Sequence, residues 1–125
     1  MLNACICNDI KEVKQRLLQG EDPTLSDNLP IRIVSQYGRL EIVKLLMADS
    51  RVDPSGRNNE AILLASQQGH VDVVRLLLTD PRVDPFADNN WAIRQAKENG
   101  HTEIVQLLTE HQYRLDGPIY NKNIL

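Results

Sequence analysis

The sequence repeats itself every 31 residues, and that period limits the fold more than any other feature. Asp22-Pro23, Asp53-Pro54 and Asp84-Pro85 keep the interval, as do Asn28, Asn59 and Asn90, and Gly38, Gly69 and Gly100. Apolar positions stay in register with them: Leu40 with Val71, Val43 with Val74 and Val105, Leu46 with Leu77 and Leu108. Thirty residues before Gly38 stands Asn8, which opens an irregular first unit. Four units result, at about 1–28, 29–59, 60–90 and 91–116, with residues 117–125 as a C-terminal tail. Such a chain has no single central core, because each unit covers its apolar face only by stacking on its neighbours.

The third unit shows the internal pattern. Ala61-Ile62-Leu63-Leu64-Ala65-Ser66-Gln67-Gln68 reads as a first helix with small and aliphatic residues on one face. Gly69 ends it, since glycine enters the left-handed region without a Cβ penalty and so permits a sharp turn into the next helix. Asn8 fills that place in the first unit, and Asn is the next most tolerant residue there. Val71, Val74, Leu77 and Leu78 then fall at helical spacing in a second helix. Asp80-Pro81 is expected to stop it, because proline lacks an N–H and disfavours helix at the residue before it. The turn-rich stretch Val83–Asn90 is expected to project as a short finger. The predicted class is all-α, a solenoid of helix-turn-helix units.

Gly69-His70-Val71-Asp72-Val73-Val74-Arg75-Leu76-Leu77-Leu78 resembles the Gly-His-x-x-Val-Val-x-Leu-Leu-Leu second-helix motif of the ankyrin repeat. Gly100–Leu108 and Gly38–Leu46 are further copies, and Gly20-Glu21-Asp22 is similar to that family's Gly-Ala-Asp turn. The resemblance covers about residues 2–116. It implies stacked helix pairs whose fingers and first helices form an elongated concave face, used in this family to grip another protein. The period here is shorter than the usual value of about 33. The Asp-Pro-Arg-Val-Asp-Pro turn (Asp80–Pro85, with Asp49–Pro54 as a near copy) is similar to a variant seen in amoebae and the large DNA viruses that infect them. The family's Thr-Pro-Leu-His opening is replaced by Leu29-Pro30-Ile31-Arg32, Glu60-Ala61-Ile62-Leu63 and Trp91-Ala92-Ile93-Arg94. Leu29, Glu60 and Trp91 cap poorly, whereas Asn28, Asn59 and Asn90 stand just before them, so the N-cap is expected to have moved back to these asparagines.

Composition removes several classes of function. The charge of −3 gives no general pull toward nucleic acid or anionic membrane, and the basic residues Arg39, Lys44, Arg75 and Arg82 alternate with acids instead of forming a stripe. No apolar run approaches the roughly 18 residues that span a bilayer. The start Met1–Cys7 has no basic region or long apolar stretch, so an intracellular, cytoplasmic setting is expected, with the nucleus also open. Cys5 and Cys7 are too close to build a disulfide framework and, on a helix, point roughly 200° apart, which cannot grip one metal. His70 and His101 are expected to bond locally at second-helix starts. Asp80, Asp84 and Asp88 lack the spacing of a calcium loop and read as turn residues. No phosphate loop, nucleophile elbow or zinc-protease motif is present, and no catalytic residue, cofactor or metal site is expected.

What remains is a binding surface. The units differ most in their fingers, at 24–27, 55–58 and 86–89, and just before the glycines, at Gln36-Tyr37, Gln67-Gln68 and Glu98-Asn99. The chain has five aromatic residues, Tyr37, Phe86, Trp91, Tyr113 and Tyr120, so its core is expected to be aliphatic. Phe86 and Trp91 lie close together in sequence and are candidate anchors for a protein partner. Arg57, Asn58, Glu60, Gln67, Asn89, Arg94 and Tyr37 are the candidate polar and flanking contacts. Asn8, Asn28, Asn59, Asn90, Gly38, Gly69 and Gly100 are structural repeat positions. The expected function is a non-catalytic protein-interaction module, monomeric; a second reading is an architectural solenoid that self-associates or caps a larger assembly, its tail capping the last unit or docking on a neighbour, and an enzyme is the third and least favoured.

Overall fold

The computed structural model describes the backbone of residues 1–124 and the side chains of residues 1–114. Its elements are α1 (Leu2–Ile6), α2 (Ile10–Leu18), α3 (Leu25–Tyr37), α4 (Leu40–Met47), α5 (Gly56–Gln68), α6 (Val71–Leu77), α7 (Ala87–Glu98) and α8 (Thr102–Ile124), with no strand among the described residues. They pack as four hairpins. The inner row is α1, α3, α5 and α7, each against the next, and the outer row is α2, α4, α6 and α8. This is an all-α solenoid, as the period predicts.

Packing, more than local propensity, holds these helices. Helices as short as α4 and α6 are unstable alone, because nucleation is costly and few bonds follow it. One aliphatic seam runs between the two rows. Ile31, Val34, Ile62, Ala65, Ala92 and Ala96 enter it from the inner helices, and Ile42, Val43, Leu46, Val73, Val74, Leu77, Ile104 and Leu108 from the outer ones. Val52 and Val83 close it from the turns. No ring contributes to it among the described residues, as expected from the scarcity of aromatics.

Each inner helix ends as the glycines require. Asn8, Gly38, Gly69 and Gly100 all have φ between 58° and 84°. The next N–H, on Arg39, His70 and His101, reaches back to the carbonyls of Val34, Ala65 and Ala96 and satisfies the helix end. The outer helices stop earlier than the prolines suggest. α6 ends at Leu77, and the N–H groups of Thr79 and Asp80 bond to Leu76 and Leu77 in a tightened last turn. The acids then organise the loop: Asp80 accepts from the backbone and guanidinium of Arg82, and Asp49 does the same for Arg51. α8 continues unbroken through residue 116, while what the tail's side chains touch lies outside the described residues.

Candidate protein-binding face

The fingers are built on a turn of opposite hand to the helices. Ser26-Asp27-Asn28, Arg57-Asn58-Asn59 and Asp88-Asn89-Asn90 all have φ between 52° and 64°. Each run closes with a backbone bond, from the N–H of Asn28, Asn59 and Asn90 to the carbonyls of Thr24, Ser55 and Phe86. This conformation costs most residues about 1–2 kcal/mol each. All but Ser26 and Arg57 in these runs are Asn or Asp, the types that tolerate it best.

The asparagines expected as N-caps do something else. Asn28 Oδ1 accepts the N–H of Asp53 at 2.9 Å, and Asn59 Oδ1 accepts that of Asp84 at 2.8 Å. Each side chain therefore ties its own finger to the next unit instead of capping its own helix. The reason is geometric: with φ positive, these residues lack the extended backbone of a cap. Asn28 and Asn59 are each only 8% exposed, whereas Asn90 is exposed and has no such donor among the described residues.

A second link crosses the opposite end of the inner helices. His70 Nε2 donates to the carbonyl of Gln36 at 2.9 Å, and His101 Nε2 to that of Gln67 at 3.0 Å. These bonds join successive units, which corrects the local bonding expected from sequence. Arg39, at the same repeat position, donates from Nη2 to the carbonyl of Ile6 at 3.0 Å and serves the first junction.

Arg32, which sequence reasoning did not single out, is the centre of the first finger. It is 3% exposed. Its Nε and Nη2 donate to the carbonyls of Asp27 and Ser26, at 3.0 and 2.6 Å, so one guanidinium fork holds the left-handed turn. Nη1 meets Glu60 Oε1 of the next unit at 3.0 Å. Glu60 is shared, its other oxygen lying 3.3 Å from Arg57 Nε. The signal available in sequence was that Arg32 and Arg94 occupy the same repeat position.

The remaining candidates fall into separate groups. Arg94 Nε donates to the carbonyl of Asn89 at 3.0 Å, and its guanidinium lies 5.4 Å from the centre of the half-buried Trp91 ring. Asn58, Asn89, Arg57 and Arg94 are exposed. Tyr37 is 48% exposed, with Arg39 over its ring. Half-buried Gln67 donates from Nε2 to Gln95 Oε1 at 3.5 Å. Phe86 and Trp91 take different partners: Phe86 is half-buried with its ring 6.4 Å from that of His111. At the position of Phe86 the other units place Thr24 and Ser55, whose hydroxyls bond to Asp22 and Asp53. Phe86 cannot make that bond and reaches α8 instead.

Of the groups that resemble nucleophiles, Cys5, Ser35 and Ser66 are enclosed and Cys7 is not. Cys5 is fully buried on α1, and burial pushes its thiol up to about 11. Cys7, expected on the same helix, stands just past its end and is exposed. Ser35 and Ser66 are fully buried between the helix rows. The exposed cations Lys44 and Arg82 pair with Glu41 and Asp80, giving the mixed surface expected from sequence. Among the described residues no cluster of metal-ligating side chains occurs, and no helix is long and apolar enough to cross a membrane.

The family model for ankyrin repeats (3 copies) matches residues 1–89. No curated protein matches the sequence. Ankyrin repeats are generally protein-interaction modules and typically non-catalytic.

Proposed function

Because the chain belongs to the ankyrin-repeat family, we propose that it is a non-catalytic module that binds a protein partner through its fingers and inner helices. One observation carries this reading. Asn28, Asn59, Arg32, His70 and His101 are spent on fixing the backbone from unit to unit, while Arg57 and Trp91 differ from their counterparts in the other units and stand with the exposed Asn58, Asn89 and Arg94 on the resulting rigid frame. A frame set before binding loses little conformational entropy on association, which favours affinity from a modest surface. Trp91 supplies the aromatic anchor and the polar residues around it supply specificity. Tyr37, Glu60, Gln67 and Phe86 flank this surface. The repeat domain is residues 1–116 and the tail is 117–125. A monomer in the cytoplasm is part of the same proposal, in keeping with the two unpaired thiols.

Affinity capture from the native cell tests it, with wild type compared against an Arg57→Ala/Trp91→Ala double variant. The expected result is a protein retained by the wild type and lost from a folded double variant. Equal recovery by both would show that the partner engages another face.

A further inference from the structure

We infer that the guanidinium of Arg94, laid over Trp91, receives an Asp or Glu side chain of the partner, so that the segment seated at this end of the inner row is acidic. The inference rests on the proposed function and names the partner's chemistry.

The chain contains its own precedent. Arg32 and Arg94 stand at equivalent repeat positions and start alike, each donating Nε to a carbonyl of its own left-handed turn at 3.0 Å. Arg32 completes its set with the carboxylate of Glu60, supplied by the next unit. For Arg94 no carboxylate forms an ion pair among the described residues, and that includes the exposed Asp88 of the same turn and Glu98 of the same helix. Its fork is nonetheless oriented, by Asn89 beneath Nε and by the Trp91 face. An oriented guanidinium binds carboxylate with less entropic loss than a free one, and the planar fork matches two oxygens.

Asn90 points to the same occupant independently. Asn28 and Asn59 accept a backbone N–H from the following unit, whereas Asn90 has no such donor among the described residues and is exposed. An amide oxygen and a guanidinium, the two groups by which Asn28 and Arg32 hold the turn Asp53–Glu60, thus recur at this edge, and among the described residues no equivalent turn meets them. The fitting chemistry is an extended or turned peptide that offers one backbone N–H and, a few residues on, a carboxylate. The overall charge of −3 gives acids no general attraction, so selection for them would have to come from this spot.

A random-peptide display library selected on the full chain provides the probe. Trp91 is the only tryptophan, so its fluorescence reports contact directly. Enriched peptides are expected to carry Asp or Glu and to perturb Trp91 emission. They should weaken about tenfold on Arg94→Gln and at raised salt, with no change on Arg75→Gln in the outer row. Replacing the peptide's own Glu by Gln should give the same loss with the protein unaltered. Neutral or basic peptides that still depend on Arg57 and Trp91 would overturn the acidic partner and leave the binding face standing. Acidic peptides indifferent to Arg94→Gln would overturn it as well. Peptides that bind only the outer helices would overturn both readings. Self-association of the chain abolished by Arg94→Gln would replace the acidic partner with a second copy.

Discussion

The imidazole of His70 lies on Gly38, so close that a Cβ placed on this glycine would stand 2.6 Å from Nδ1. His101 covers Gly69 in the same way, with the nearest ring atom at 2.7 Å. These glycines are therefore required twice, once for positive φ and once for space. Gly20 and Gly100 have positive φ but meet no described atom within 4 Å. Alanine at Gly20 or Gly100 should cost about 1 kcal/mol for backbone strain alone. Alanine at Gly38 or Gly69 should cost about 2–4 kcal/mol, because crowding adds to the strain. In urea unfolding, adding His70→Ala to Gly38→Ala should recover part of the loss, and adding it to Gly100→Ala should recover none.

The asparagine ladder makes a graded prediction. Asn59→Ala removes the acceptor of the Asp84 N–H and should destabilise by about 1–3 kcal/mol. Asn90→Ala should cost less, since only the left-handed preference is lost. Amide hydrogen exchange gives the local check: the Asp84 amide should be protected in the wild type and exchange faster in Asn59→Ala.

Arg32 is expected to behave as a structural residue. Arg32→Ala leaves the carbonyls of Ser26 and Asp27 and one oxygen of Glu60 without their donor, and should cost about 2–4 kcal/mol. Arg32→Lys should rescue little, because a point charge cannot span both carbonyls and the carboxylate. Thermal melting of the two variants beside Arg94→Ala, whose side chain is exposed, separates holding the turn from facing a partner.

Acid should loosen the outer turns first. Asp49 and Asp80 are held below the ordinary carboxylate value of 3.8, mainly by the hydrogen bonds from Arg51 and Arg82. Their folded values lie under the unfolded one, so the unfolded chain takes up protons first as the pH drops. The stabilisation is complete above about pH 4 and disappears as the pH falls through the folded values. An Asp49→Asn/Asp80→Asn double variant should start less stable at neutral pH and lose less stability between about pH 4 and pH 2. Urea midpoints measured across that range provide the test.

The period, the helix pairs and the left-handed glycines were legible in the sequence because each is fixed by a residue type at a constant spacing. Gly38 and Gly69 announce their backbone directly. The finger was less legible. Asn28 fits an N-cap and a left-handed turn equally well, and only the position of Asp53 in the neighbouring unit decides between them. His70 likewise looked local because its acceptor, Gln36, belongs to a different unit. Arg32 escaped notice since an arginine at the start of a helix reads as a solvated charge until Ser26 and Asp27 turn their carbonyls toward it. Phe86 belongs to the stretch expected to project as a finger, and its contact with the ring of His111 on α8 lies too far along the chain to be read from spacing. For Asn28, His70 and Phe86 the missing information was a contact with another unit, and for Arg32 it was the left-handed turn just before it.

The central claim, that a protein partner sits on the fingers and inner helices, is tested most directly by calorimetry on the captured partner with two sets of folded variants. Arg57→Ala and Trp91→Ala alter the inner row, and Lys44→Ala and Arg75→Ala alter the outer helices. The account predicts that each inner-row change weakens binding about tenfold or more while the outer-row changes leave it unaltered. Affinity that falls with the outer-row changes and survives the inner-row ones would contradict it.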